Sequence, residues 1–185
     1  MSQRVIIFDG PDNCGKTNIA QELCRRIGIP YFKNKDEHRY FLSKPDYFID
    51  AIRYVDTYFT SYLEATNASI VLDRAWPSEW VYSRVLGRVT DPQILRELDD
   101  RHAVLGTKII IPFRTDYSSQ CDKYDIINEK IGEIDHLYKE FAVWSKCDTL
   151  LLNVDDEDLA RELNEVIRFL DDTSPETDKS HSCCH

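Results

Sequence analysis

The stretch that decides the fold runs Arg4-Val5-Ile6-Ile7-Phe8-Asp9-Gly10-Pro11-Asp12-Asn13-Cys14-Gly15-Lys16-Thr17. Its first five residues include a continuous apolar run, the pattern of a strand buried on both faces of a sheet. Residues 10–17 match G-x-x-x-x-G-K-[ST] in full. From Lys16 onward, Ile19, Leu23 and Ile27 recur every fourth residue, which predicts a helix ended by Gly28. Strand, glycine loop and helix in that order are the context in which this pattern binds polyphosphate. Glycines permit backbone conformations and close approaches that a Cβ would block, and the positive end of the helix adds to the field. Gly10, Pro11, Asp12, Asn13, Cys14, Gly15, Lys16 and Thr17 are therefore the expected nucleoside triphosphate cradle. Lys16 is expected to reach the β/γ-phosphates and Thr17 to coordinate Mg²⁺, with ATP as donor.

Working outward, strand patterns alternate with helical ones, the rhythm of an α/β sheet. Strands are expected near 30–32 and over 69–72, 108–113 and 149–154. Helices are expected over 46–66, 77–87 and 91–103, from about 123 to 141, and over 156–170. In the 46–66 helix, Phe48, Ile52, Val55, Phe59 and Tyr62 form the predicted apolar face. In the penultimate helix, Ile127, Ile131, Ile134, Tyr138 and Phe141 do so. The expected architecture is a three-layer phosphate-loop fold, a five-stranded parallel sheet with helices on both faces. It spans residues 1–170 with a short lid at 114–123. Residues 171–185 lack apolar periodicity and read as a flexible tail.

Composition narrows the classes. The 185 residues are 42% hydrophobic, enough for a core. With 33 acids against 23 Lys plus Arg, the net charge of −10 argues against a protein that grips DNA through its phosphates. No apolar run approaches the roughly 20 residues of a membrane span, and the N-terminus has no signal-peptide pattern. The expectation is a cytoplasmic protein with no membrane partner and reduced thiols. The terminal His-Ser-Cys-Cys-His carries only a compositional hint of metal binding.

Two segments separate the classes of phosphate-loop protein. Val71-Leu72-Asp73-Arg74-Ala75 lacks the D-x-x-G of a switch GTPase, and no N-K-x-D base reader occurs. Phe8-Asp9-Gly10-Pro11-Asp12-Asn13-Cys14-Gly15-Lys16-Thr17 instead resembles the first-strand signature of the thymidylate kinases. Asp73-Arg74-Ala75-Trp76-Pro77-Ser78 is similar to the D-R-[YH]-x-x-S segment of that family, and resembles the E-R-S of deoxynucleoside kinases. The resemblance covers residues 1–170. It implies an ATP- and Mg²⁺-dependent phosphotransferase acting on a thymidine-like pyrimidine deoxynucleotide. It also implies that Arg74 holds the acceptor phosphate, that Asp73 joins Thr17 at the metal, and that family members often pair as homodimers.

Asp9 and Asp12 leave the acceptor open. A phosphate acceptor needs cations, whereas a hydroxyl acceptor benefits from a carboxylate base. By resemblance, the in-loop acid contacts the nucleotide sugar and the strand-end acid is the base in nucleoside kinases. Either acid also fits a plain role capping the loop's own N–H groups. Phe59 and Tyr62, or Tyr40 and Phe41, are candidates to stack on the acceptor base, with Arg53 or Arg39 at its edge. Trp76 and Trp80, beside the Asp73-Arg74 motif, are the stronger stacking candidates.

The sequence departs from the family at several points. The P-G-G turn after the second strand is missing, and Asn13 stands where the loop arginine of some members would be. The lid offers Arg114 and, at its end, Lys123. A phage branch of the family that phosphorylates 5-hydroxymethyluracil within DNA remains an alternative acceptor class, suited by Lys33, Lys35, Arg39 and Lys44. A deoxynucleoside kinase is a further option. A non-catalytic ATP-binding switch is the rival from another class.

Overall fold

The chain is seen in a computed structural model, which describes residues 3–33, 50, 52–118 and 125–172. Five strands form one parallel sheet: β1 (Val5–Phe8), β2 (Tyr31–Lys33), β3 (Ile70–Asp73), β4 (Lys108–Phe113) and β5 (Asp148–Asn153), in the order β2-β3-β1-β4-β5. The expected sheet is thus present, each strand within a residue or two of its predicted position. β1 lies at the centre between β3 and β4, so chain order reverses on either side of it. That is the switch point at which sheets of this kind bind ligands, beyond their carboxyl ends.

Side-chain alternation divides the core into two halves. Ile6, Phe8, Val71 and Ile110 face α1 (Lys16–Ile27) and the last helix, α6 (Leu159–Asp171). Ile7, Leu72, Ile109 and Ile111 face the other layer, where α3 (Trp76–Leu86), α4 (Pro92–Val104) and α5 (Asp125–Trp144) pack. Each half closes over residues that are almost wholly buried, which is why the central strands read as unbroken apolar runs. The short helix α2 (Thr57–Thr66) packs on α4.

Two features of the helices differ from expectation. The single helix predicted over 46–66 is interrupted: Ile52–Asp56 form a π-helical turn before α2. The wider turn breaks the 3.6-residue phase, so the residues buried in α2 are Thr60 and Leu63. Phe59 is half-buried and Tyr62 is 48% exposed, while the side chains of Phe48 and Ile52 lie outside the described residues. The closing helix begins three residues later than predicted because Asp158 is its N-cap, accepting from the N–H groups of Ala160 and Arg161.

Within the described residues Cys14, Cys24 and Cys147 are free thiols, and no helix is long and apolar enough to cross a membrane. The lid beyond Ser118, the predicted tail beyond Asp172 and the basic positions Lys35, Arg39 and Lys44 fall outside the described residues. So do Tyr40, Phe41 and Lys123.

Candidate active site

The glycine loop leaves the end of β1 and returns into α1, placing residues 10–17 at the carboxyl edge of the central strand. Gly10 has φ +153°, and a Cβ there would stand 2.9 Å from the Pro112 carbonyl oxygen of β4. The close passage of two backbones, together with that φ, is what requires glycine. Asn13 (φ 62°) and Gly15 (φ 66°) adopt left-handed conformations on the way into the helix. Lys16 is buried, its Nζ donating to the Pro11 carbonyl inside the loop. Burial pulls its amine down to about 8, reinforced by Arg74 and opposed by Asp12.

Arg74 stands over this loop. It follows β3 in a left-handed conformation (φ 70°), uncommon for a residue with a long side chain. Its N–H donates to the Phe8 carbonyl at 2.8 Å, which ties the turn to β1. One guanidinium nitrogen donates to Ser78 Oγ at 3.0 Å and lies 3.4 Å from Asp9 Oδ1 and from the Tyr138 hydroxyl. The other pairs with Asp12 Oδ1. The guanidinium carbon lies 5.4 Å from the centre of the Tyr82 ring.

The two loop acids have different surroundings. Asp9 is fully buried. Its Oδ1 accepts from the Gly10 N–H (2.9 Å), Ser78 Oγ (2.7 Å) and the Tyr138 hydroxyl (2.7 Å). Its Oδ2 accepts from the N–H groups of Ala75 (3.2 Å) and Ser78 (3.0 Å). Those two amides open α3, whose own N-cap, Ala75, has no side-chain acceptor. Asp9 therefore caps a helix whose N-cap lies 66 residues after it, satisfying donors that would otherwise be orphaned. Asp12 is partly exposed and accepts from the Tyr82 hydroxyl at 2.7 Å as well as from Arg74. Burial would raise its carboxyl, but the charges of Arg74 and Lys16 outweigh it and hold the group below the usual carboxylate range.

A second cluster lies at the end of β3. Asp73 Oδ2 accepts from Thr17 Oγ1 (2.6 Å), the Tyr31 hydroxyl (2.6 Å) and Lys33 Nζ (2.7 Å). These donors hold its carboxyl low against the opposing effect of burial. Its Oδ1 is buried and without a hydrogen-bond partner among the described residues. An unsatisfied carboxylate oxygen beside a loop threonine is a hard-oxygen pair of the kind Mg²⁺ takes, so these residues fit the ion.

Arg114, the lid candidate, reaches the loop through Nε to the Asn13 carbonyl (3.4 Å). Its Nη2 is paired with Glu157 at 2.8 Å. The tryptophans are placed otherwise than expected. Trp76 and Trp80 are 1% and 5% exposed and pack edge-on against Phe141 in the core. Residues on a helix turn 100° per step, so the face that meets the loop carries Ser78 and Tyr82, and the tryptophan face meets α5. Arg53 lies 4.0 Å from Asp91 on the surface.

Sequence reasoning did not single out Tyr31, Tyr82 or Tyr138 as site residues, and it counted Lys33 in a basic stretch. The signal for Ser78 was its place in the Asp73–Ser78 segment, and for Tyr82 its position one helical turn after Ser78 on α3. Tyr138 reaches Asp9 across 129 residues of chain and carries no local signal.

No protein-family model and no curated protein matches the sequence. Solved structures do resemble the fold. The YorR protein of Bacillus subtilis, determined in complex with phosphorylated GDP, is 21% identical with a TM-score of 0.62, over 90% of this chain and 94% of that one. A thymidylate kinase from Ehrlichia chaffeensis is 16% identical at TM-score 0.61, over 90% and 98% of the two chains. A deoxyadenosine kinase from M. mycoides, with the products dCMP and dCDP bound, is 18% identical at TM-score 0.55, again over 90% and 98%. The chain has the fold that these structures share.

Proposed function

We propose that the chain is an ATP-dependent phosphotransferase that moves the γ-phosphoryl group to the phosphate of a thymidine-like pyrimidine deoxynucleotide. The observation that carries this reading is Arg74, held by Asp9, Asp12, Ser78 and Tyr138 over the loop that contains Lys16. In-line transfer requires two anionic groups brought together and neutralised, and a planar guanidinium fork suits an acceptor phosphate. Lys16 neutralises the donor side. Thr17 and Asp73 are the residues that would hold Mg²⁺, which when bound offsets charge on the β- and γ-phosphate oxygens. Asp12 reaches from the loop to Arg74, which it orients toward the acceptor's place.

A phosphate acceptor is favoured over a hydroxyl, whether of a nucleoside or of a hydroxymethyl base in DNA, by the state of Asp9. A base must have a free oxygen within reach of the proton it takes. Asp9 is fully buried and both its oxygens already accept from N–H and O–H donors. Of the basic residues that suited a DNA substrate, Lys33 is bound to Asp73 and Thr17. An ATP-driven switch would not need an arginine clamped above the loop.

The deciding experiment incubates purified protein with labelled ATP and dTMP, dUMP, thymidine or DNA containing 5-hydroxymethyluracil. Lys16→Ala serves as the control that abolishes transfer. Label is expected on the mononucleotides. Label on thymidine or DNA alone would refute the phosphate-acceptor reading, and ATP binding without transfer to any acceptor would identify a switch.

A further inference from the structure

The Asp73 cluster contains a cation supplied by the chain itself. Lys33 Nζ lies 2.7 Å from Asp73 Oδ2 and 2.8 Å from Thr17 Oγ1, bridging the two groups that fit a divalent ion. The bridge follows from the sheet: β2 pairs with β3 in a register that sets Lys33 directly beside Asp73, and Tyr31, two residues back on the same face, reaches the same oxygen. Thr17 donates its one proton to Asp73, so it meets the ammonium through one of its oxygen lone pairs, on the side of the oxygen a metal would approach. Asp73 has no exposed side-chain surface, and a buried carboxylate without a cation nearby is strongly unfavourable. Lys33 is 30% exposed and keeps a route to water.

We propose that Lys33 is a resident counter-cation that holds the metal position between Thr17 and Asp73 and is displaced when a divalent ion arrives with the nucleotide. This rests on the kinase reading above in assigning that position to a metal. The ammonium keeps Thr17 and Asp73 in place and offsets the charge of the buried carboxylate before the metal binds. It then leaves because an ammonium and a divalent ion held against the same hydroxyl and the same carboxylate repel each other at close range. Lys33 is a positioning residue, and its effect falls on metal affinity first.

The test titrates the full chain with Mn²⁺, without nucleotide, reading free ion by electron paramagnetic resonance. Lys33→Met retains much of the apolar stem and removes the charge, and should tighten Mn²⁺ binding by about tenfold or more. Tyr31→Phe removes a neutral donor from the same oxygen and should stay within about threefold of the parent. Equal or weaker Mn²⁺ binding by a folded Lys33→Met protein would overturn the proposal. If that variant does not fold, the parent chain decides. Acylation of Lys33, followed by peptide mass spectrometry, should rise when Mn²⁺ is added to protein already holding a non-hydrolysable ATP analogue. Unchanged or reduced labelling would overturn the proposal. Failure of the analogue to bind, measured calorimetrically on the same samples, would instead count against the kinase reading, and the nucleotide-free titration would still decide the role of Lys33.

Discussion

Glu79 offers a test of the packing beside the site. It sits on α3 next to Ser78 and is 6% exposed, with Oε1 buried and lacking a hydrogen-bond partner among the described residues. Oε2 lies 3.6 Å from Arg88. Burial pushes its carboxyl up to about 7 from an ordinary 4.5, with Arg88 only partly opposing. An acid whose folded value is raised holds its proton longer in the native state than in the unfolded chain. The associated stability is therefore complete below about pH 4.5, declines as pH rises, and is fully lost above about pH 7. Glu79→Gln removes this titration. Between pH 5.5 and 8, the variant should gain about 2 kcal/mol on the parent, from the roughly 1.5 pH units over which only the unfolded chain is ionised. Urea unfolding of both proteins at the two pH values reads the change in their difference, and other titrating groups largely cancel. A difference constant within about 0.5 kcal/mol would refute the account, as would a gain for the parent at high pH.

Two further substitutions probe the clamp and the loop. Arg74→Lys keeps a charge but loses the fork shared by Asp12 and Ser78. It should lower kcat/KM for the acceptor about a hundredfold while leaving ATP-analogue affinity within about threefold; steady-state kinetics beside calorimetry check both halves. Gly10→Ala forces a Cβ to within 2.9 Å of the Pro112 carbonyl at a φ of +153°. It should destabilise the chain by about 2–3 kcal/mol in urea unfolding.

Sequence legibility followed how local each signal is. β1, β3 and β4 are buried on both faces, so their composition alone declared them, and the loop motif marked the strand that leads into the site. Arg74 and Asp73 were legible as a pair, and Thr17 as a companion of Asp73, but their other partners were not. The two residues do not bond each other; Asp73 meets Lys33 through strand register, and Arg74 meets Asp12 through loop conformation. Trp76 and Trp80 were misassigned because closeness in sequence to a motif does not fix direction on a helix. The apolar face of α2 was misassigned because one π-turn rotates every residue after it. Periodicity over 46–66 does not register such a turn.

Asp9 lastly has a mechanical consequence. One carboxylate stitches the mouth of the phosphate loop to the first turn of the next wall, so under the proposed function it ties the donor side of the site to the acceptor side. Damage to Asp9 would be felt at both substrates together, with the two affinities drifting in step.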